Sequence, residues 1–176
     1  MGKDVTPKVI MGDPAYFNHS TIFNANALNV EFYSQLTPEG KFNMQALLNS
    51  IAKSDQQTIF LFQGSAHNPT GINAKTSEEW KIIAKAMKIS GATAFFDLPY
   101  AGLDISISND TMPVRIFLSQ GIPTAVAFSL AKISGLYSER VAMLLFVTPD
   151  KKYALNSTRF LNGIIREINS SPSAWG

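Results

Sequence analysis

No cysteine occurs anywhere along the chain. Disulfides and thiolate metal sites are thereby excluded, no metal is expected, and a reducing, cytoplasmic setting fits the composition. A strong excess of one charge is lacking too: 15 Lys and Arg face 13 Asp and Glu, leaving a net charge of +2 over 176 residues. Beyond Lys151-Lys152 there is no basic cluster, so no nucleic-acid partner is expected. No run of 18 apolar residues exists, which argues against a membrane-spanning helix. The opening "MGKDVTPKV" carries no apolar stretch behind a basic start and so does not read as a signal peptide. Neither GxGxxG nor GxxxxGK[ST] occurs, which removes the usual glycine-rich phosphate loops of α/β nucleotide binders. Internal repeats and low-complexity tracts are missing as well.

What is present is apolar and patterned. Hydrophobic residues make up 45% of the chain and charged residues 16%, enough for a sizeable core. Short strands are predicted at Val9 to Met11 and Leu28 to Tyr33, closed by "GDP" and "TPEG". Phe42, Met44, Leu47, Leu48, Ile51 and Ala52 share one helical face. "TIFLFQG" reads as a strand, and residues 77–89 as a helix with Ser77 at the cap and Trp80, Ile83, Ala84 and Met87 in a stripe. "ATAFFDLPY", "PTAVAFS" and "VAMLLFV" are further strands. A short helix with Pro113 in its first turn spans 111–119, and a longer one 150–168. Unbroken apolar strands alternating with helices predict an α/β fold whose mostly parallel sheet is covered on both faces.

In such a sheet, functional groups gather beyond the carboxyl ends of the strands. "SAHNPTG", "DLPYAG" and "SLAK" each follow a predicted strand, so Asn68, Asp97, Tyr100, Ser129 and Lys132 should converge at one end. A lysine among apolar residues can become an imine-forming nucleophile when it loses solvent. Taken singly, each residue also has a plainer reading. Lys132 could lay its stem along apolar surface, Asp97 could cap a helix, Asn68 could serve an Asn-Pro turn, and Arg140 could pair with a surface acid.

Together, "AHNPTG" (66–71), "FFDLPYAG" (95–102) and "SLAKISGLYSERV" (129–141) resemble, in order and spacing, the fold type I pyridoxal-phosphate-dependent aminotransferases of the aspartate/aromatic group. "AYFNHSTIF" and "IREINSSPSAWG" also look like segments of that family, so the resemblance runs through nearly the whole chain. It implies a three-layer α/β/α fold of the large-domain type and pyridoxal 5'-phosphate as cofactor. Lys132 would form the Schiff base and move the substrate proton. Asp97 would pair with the pyridine nitrogen, and Tyr100 and Asn68 would bond the ring's phenolic oxygen, Asn68 also bordering the substrate. Ser129 and Arg140 would hold the phosphate, Arg140 with its planar fork. Tyr16 would stack on the ring where the family usually has tryptophan. His19 would back up Asp97, or else be a loop histidine; His67 is read as structural. Arg166 would reach across a dimer to the substrate side chain, or else be a cation at a helix end. Cis peptide bonds are implied at Asp13-Pro14 and Asn68-Pro69.

The family's phosphate-binding turn lies upstream of the first matching motif, and its small domain downstream of the last. Residues 1–176 are therefore expected to be one partial cofactor-binding large domain. The implied activity is transamination between an aspartate-like or aromatic amino acid and a 2-oxo acid, in a complete enzyme expected to be a homodimer. The alternative is a catalytically inactive remnant of the fold that serves binding or assembly.

Overall fold

A computed structural model describes residues 7–148 and 150–169; the opening segment weighed as a leader and the final residues of "IREINSSPSAWG" lie outside the described residues. Six strands form one sheet: β1 (Lys8–Asp13), β2 (Asn29–Ser34), β3 (Thr58–Phe62), β4 (Thr93–Leu98), β5 (Thr124–Ser129) and β6 (Ala142–Val147). Between and after them come helices α1 (Phe17–Ala25), α2 (Met44–Ala52), α3 (Ser77–Ser90), α4 (Ile107–Asp110), α5 (Met112–Ser119) and α6 (Lys151–Asn169). The strand order is β2-β1-β3-β4-β5-β6. The first five run parallel, and β6 returns antiparallel to β5, with Thr124 opposite Val147 and Ser129 opposite Ala142.

The two faces of β4 explain the layers. Phe96 and Leu98 point into the main core with Phe62, Trp80 and Phe117 from β3, α3 and α5. Phe96 and Phe117 meet edge to face at 5.1 Å and 87°, an arrangement that adds to simple burial. The buried indole N–H of Trp80 donates to the Ala74 carbonyl at 3.0 Å, so the core leaves it satisfied. On the opposite face, Phe95 joins Val9, Met11 and Leu61 under Phe23 of α1. Helices α2, α3 and α5 thus cover one side and α1 the other, giving three layers.

The α3 stripe buries Trp80, Ile83, Ala84 and Met87 as the spacing predicts. Its cap is Thr76, one residue before the expected Ser77. The Thr76 hydroxyl accepts from the Glu79 N–H, and the Glu79 carboxylate accepts from the Thr76 N–H, a reciprocal box that Ser77 cannot form one place later. Gly91 ends the helix at φ +75, the left-handed conformation in which a side chain is strained.

One element was not foreseen, and one expectation fails. Residues 17–25 are helical although the sequence shows no helix signal there: no side chain caps α1, and no acid sits in its first turn. "VAMLLFV" was expected to be covered on both faces, yet every residue of β6 is exposed among the described residues. No helix of the described residues is long and apolar enough to cross a membrane.

Candidate active site

The site forms where the connections diverge. From β1 the chain turns to α1 on one face of the sheet, and from β3 it passes to α3 on the other. Such a change of direction opens a crevice at the carboxyl ends of the strands. A cleft of about 610 Å³ lies there, lined by Tyr16, His19, Asn68, Asp97, Tyr100, Ser129, Lys132 and Arg140. Eight of the nine residues singled out in the sequence are thereby brought together. Arg166 is exposed in the last turn of α6 and does not line this cleft.

Asp97 points to the α1 face because strand alternation puts it on the side of Phe95. There Nε2 of His19 donates to its Oδ2 at 3.0 Å. The amide of Gln63, one residue past β3, donates to the same oxygen over a longer 3.5 Å. Gln63 also accepts the backbone N–H of Asn68 through Oε1 at 2.7 Å, and Asn68 Nδ2 donates to the Tyr100 hydroxyl at 3.2 Å. One buried glutamine therefore ties the loop after β3 to the carboxylate of β4. Sequence reasoning passed over Gln63. Its signal was its place at the end of "TIFLFQG", next to the motif it braces.

The Asp13-Pro14 and Asn68-Pro69 bonds are both cis. Tyr16 meets the His19 ring edge-on at 5.3 Å, and its hydroxyl accepts from Asn18 at 2.9 Å. His67 is buried beneath this network, with Nδ1 2.9 Å from the Thr70 hydroxyl. Burial, helped by repulsion from His19, pushes its pKa down to about 4, so it is neutral near pH 7.

Lys132 sits in a tight turn after β5, closed by Ser134 N–H to the Leu130 carbonyl at 3.0 Å. Its ammonium lies 5.7 Å from the ring centre of Tyr100 and 5.2 Å from that of Tyr137, within range of cation–π attraction to both. Tyr137 is a second residue missed in the sequence, where "GLY" offers no distinguishing pattern. Between the lysine and Arg140 the chain bends at Gly135, with φ +67, and Arg140 itself is left-handed at φ +54. That conformation is rare for a side-chain-bearing residue, and Arg140 lines the cleft. A carboxylate braced by an imidazole, a phenol paired with an amide, and a lysine near both rings could hold an aromatic nitrogen heterocycle with a carbonyl. The Ser129 hydroxyl and the Arg140 guanidinium, both lining the cleft, suit a phosphate. Among the described residues, no group of His, Asp and Glu is arranged to hold a metal ion.

The family model for aminotransferase class I and II matches residues 3–175. The chain is 36% identical over 170 residues to mitochondrial aspartate aminotransferase of Xenopus tropicalis, covering 96% of this chain and 40% of that protein. It is 34% identical to the corresponding Dictyostelium discoideum protein, covering 93% and 39%. Among solved structures, aromatic-amino-acid aminotransferase from Burkholderia pseudomallei, covalently bound to pyridoxal phosphate, superposes with a TM-score of 0.91 at 28% identity, over 96% of this chain and 42% of that one. The chain thus spans about two-fifths of the length of these relatives.

Proposed function

Because this chain belongs to the aminotransferase class I and II family, we propose that it forms the lysine-bearing part of a pyridoxal 5'-phosphate-dependent transaminase that moves an amino group between an aspartate-like or aromatic amino acid and a 2-oxo acid. The observation that carries this reading is the placement of Lys132, Asp97 and the Asn68–Tyr100 pair in one cleft, with His19 braced on Asp97. When bound, the cofactor supplies a ring that accepts the electrons left at the substrate α-carbon. The chain's own residues do the rest. Asp97 accepts from the protonated pyridine nitrogen, and His19 fixes the carboxylate for that contact. Tyr100 and Asn68 present an O–H and an N–H to the phenolic oxygen, and Asn68 borders the substrate. Ser129 and Arg140 grip the phosphate. Tyr16 offers a flat apolar face to the ring. Lys132 would hold the cofactor through Nζ, and the same amine is the group that would take the proton from the substrate α-carbon.

Arg166, outside this cleft, serves the partner's substrate in a homodimer on this reading. The exposed apolar surface of β6 and α6 supports such an assembly. The cysteine-free composition suits a reducing, cytoplasmic location. Titration with pyridoxal 5'-phosphate tests the reading: the chain should develop visible absorbance that Lys132→Ala lacks. Equal absorbance from both proteins would contradict it.

A further inference from the structure

Lys132 Nζ lies 5.7 Å from the ring centre of Tyr100, although the two residues follow different strands, β5 and β4. The turn carrying Lys132 makes its backbone bonds internally, through Ser134 and Gly135, or to the start of β6, where Leu130 N–H donates to the Val141 carbonyl at 3.2 Å. None of these bonds reaches the Tyr100 loop. What reaches it is the next side chain, Ile133.

The Tyr100 loop is stiff. Leu103 N–H donates to the Tyr100 carbonyl at 3.0 Å, closing a turn with Gly102 at its third position and φ +92. Buried Asp110 then accepts the N–H groups of Gly102 at 2.8 Å, Asp104 at 3.3 Å and Ile105 at 3.2 Å. Three charge-assisted bonds to the amides of this short loop fix its backbone against α4. Onto it leans Ile133. A Cβ added at Gly102 would lie 2.4 Å from Ile133 Cδ1, with Ile107 Cγ1 at 2.9 Å. Only a residue without a side chain lets the isoleucine seat there, and the same position demands a left-handed φ.

We propose that Ile133 seated on Gly102 is the latch that sets Lys132 against Tyr100, with Asp110 anchoring the glycine side. Ile133, Gly102 and Asp110 are positioning residues, and none of them lines the cleft. The consequence for chemistry rests on the proposed role of Lys132, whereas the latch itself is a statement about the unliganded chain. Displacing a reacting group by about 1 Å can cost on the order of a hundredfold in rate, so one δ-carbon at this contact matters.

The test is a substitution series read by NMR in the absence of cofactor, through the nuclear Overhauser contact between the Lys132 ε-methylene and the Tyr100 ring. Ile133→Leu keeps a δ-carbon and should keep the contact. Ile133→Val removes Cδ1 alone and should weaken it with little change in melting temperature. Ile133→Ala should abolish it. Equal intensity in wild type, Ile133→Val and Ile133→Ala overturns the latch. With pyridoxal 5'-phosphate added, borohydride trapping at Lys132 should slow about tenfold in Ile133→Val. If wild type were trapped at another lysine, the role of Lys132 would fail, while the NMR series would still decide the latch.

Discussion

Nε2 of His19 lies 3.0 Å from Oδ2 of Asp97, joining helix α1 to strand β4 across 78 positions of sequence. This bond is the main brace on the carboxylate, since Gln63 approaches it only at 3.5 Å. His19→Ala should free Asp97 to rotate and weaken pyridoxal 5'-phosphate binding about tenfold, the scale of a lost hydrogen bond to a charged group. His19→Gln, which can donate from nearly the same place, should recover part of the loss. Absorbance titration of the three proteins checks this, and unchanged affinity in His19→Ala would count against a bracing role.

The core should be costly to empty. Phe117 is fully buried and touches the rings of Phe62, Trp80 and Phe96. Phe117→Ala should cost about 3–5 kcal/mol, because the surrounding aromatic side chains cannot collapse into the cavity. A fall in the urea midpoint of the size seen for an exposed site such as Ile89→Ala would contradict this packing.

Acid should destabilise the fold through His67. Its folded pKa, about 4, lies below the ordinary 6.5 because burial and then His19 oppose the charged form. The unfolded chain therefore takes up the proton first as pH falls. The stabilising contribution is whole above about 6.5 and is lost progressively toward about 4. Urea midpoints measured across that window should fall less steeply in His67→Gln than in wild type. Identical slopes would show that His67 is not the group involved.

The apolar surface of β6 should drive association. Met143, Leu144, Leu145, Phe146 and Val147 are 41–50% exposed, an unusual run for a surface strand. Light scattering behind size exclusion should show species larger than one chain at micromolar concentration. Leu145→Lys should shift them toward the monomer. A clean monomer of the unmodified chain would refute the expectation.

Legibility followed periodicity. β3, β4, β5 and α3 announce themselves by apolar runs or by a stripe, and the carboxyl-end rule then carries Asn68, Asp97 and Lys132 to one place. Helix α1 escaped because its apolar residues do not share a buried face. Phe17 and Ile22 are more than half exposed while Phe23 packs inward, so tertiary contact decides the helix. The direction of β6 was equally hidden, since an apolar run carries no sign of which way it pairs. Gln63 reaches Asp97 on the neighbouring strand and Tyr137 folds back toward Lys132 only through the turn between them, and composition says nothing about such partners.

The most direct measurement is borohydride trapping of the pyridoxal 5'-phosphate adduct followed by peptide mapping. The modification should fall on Lys132 and disappear from that peptide in Lys132→Ala, while Asp97→Ala should still be labelled there. Labelling spread evenly over the surface lysines, with no preference for Lys132, would contradict the central claim and identify the chain as a remnant that no longer holds the cofactor.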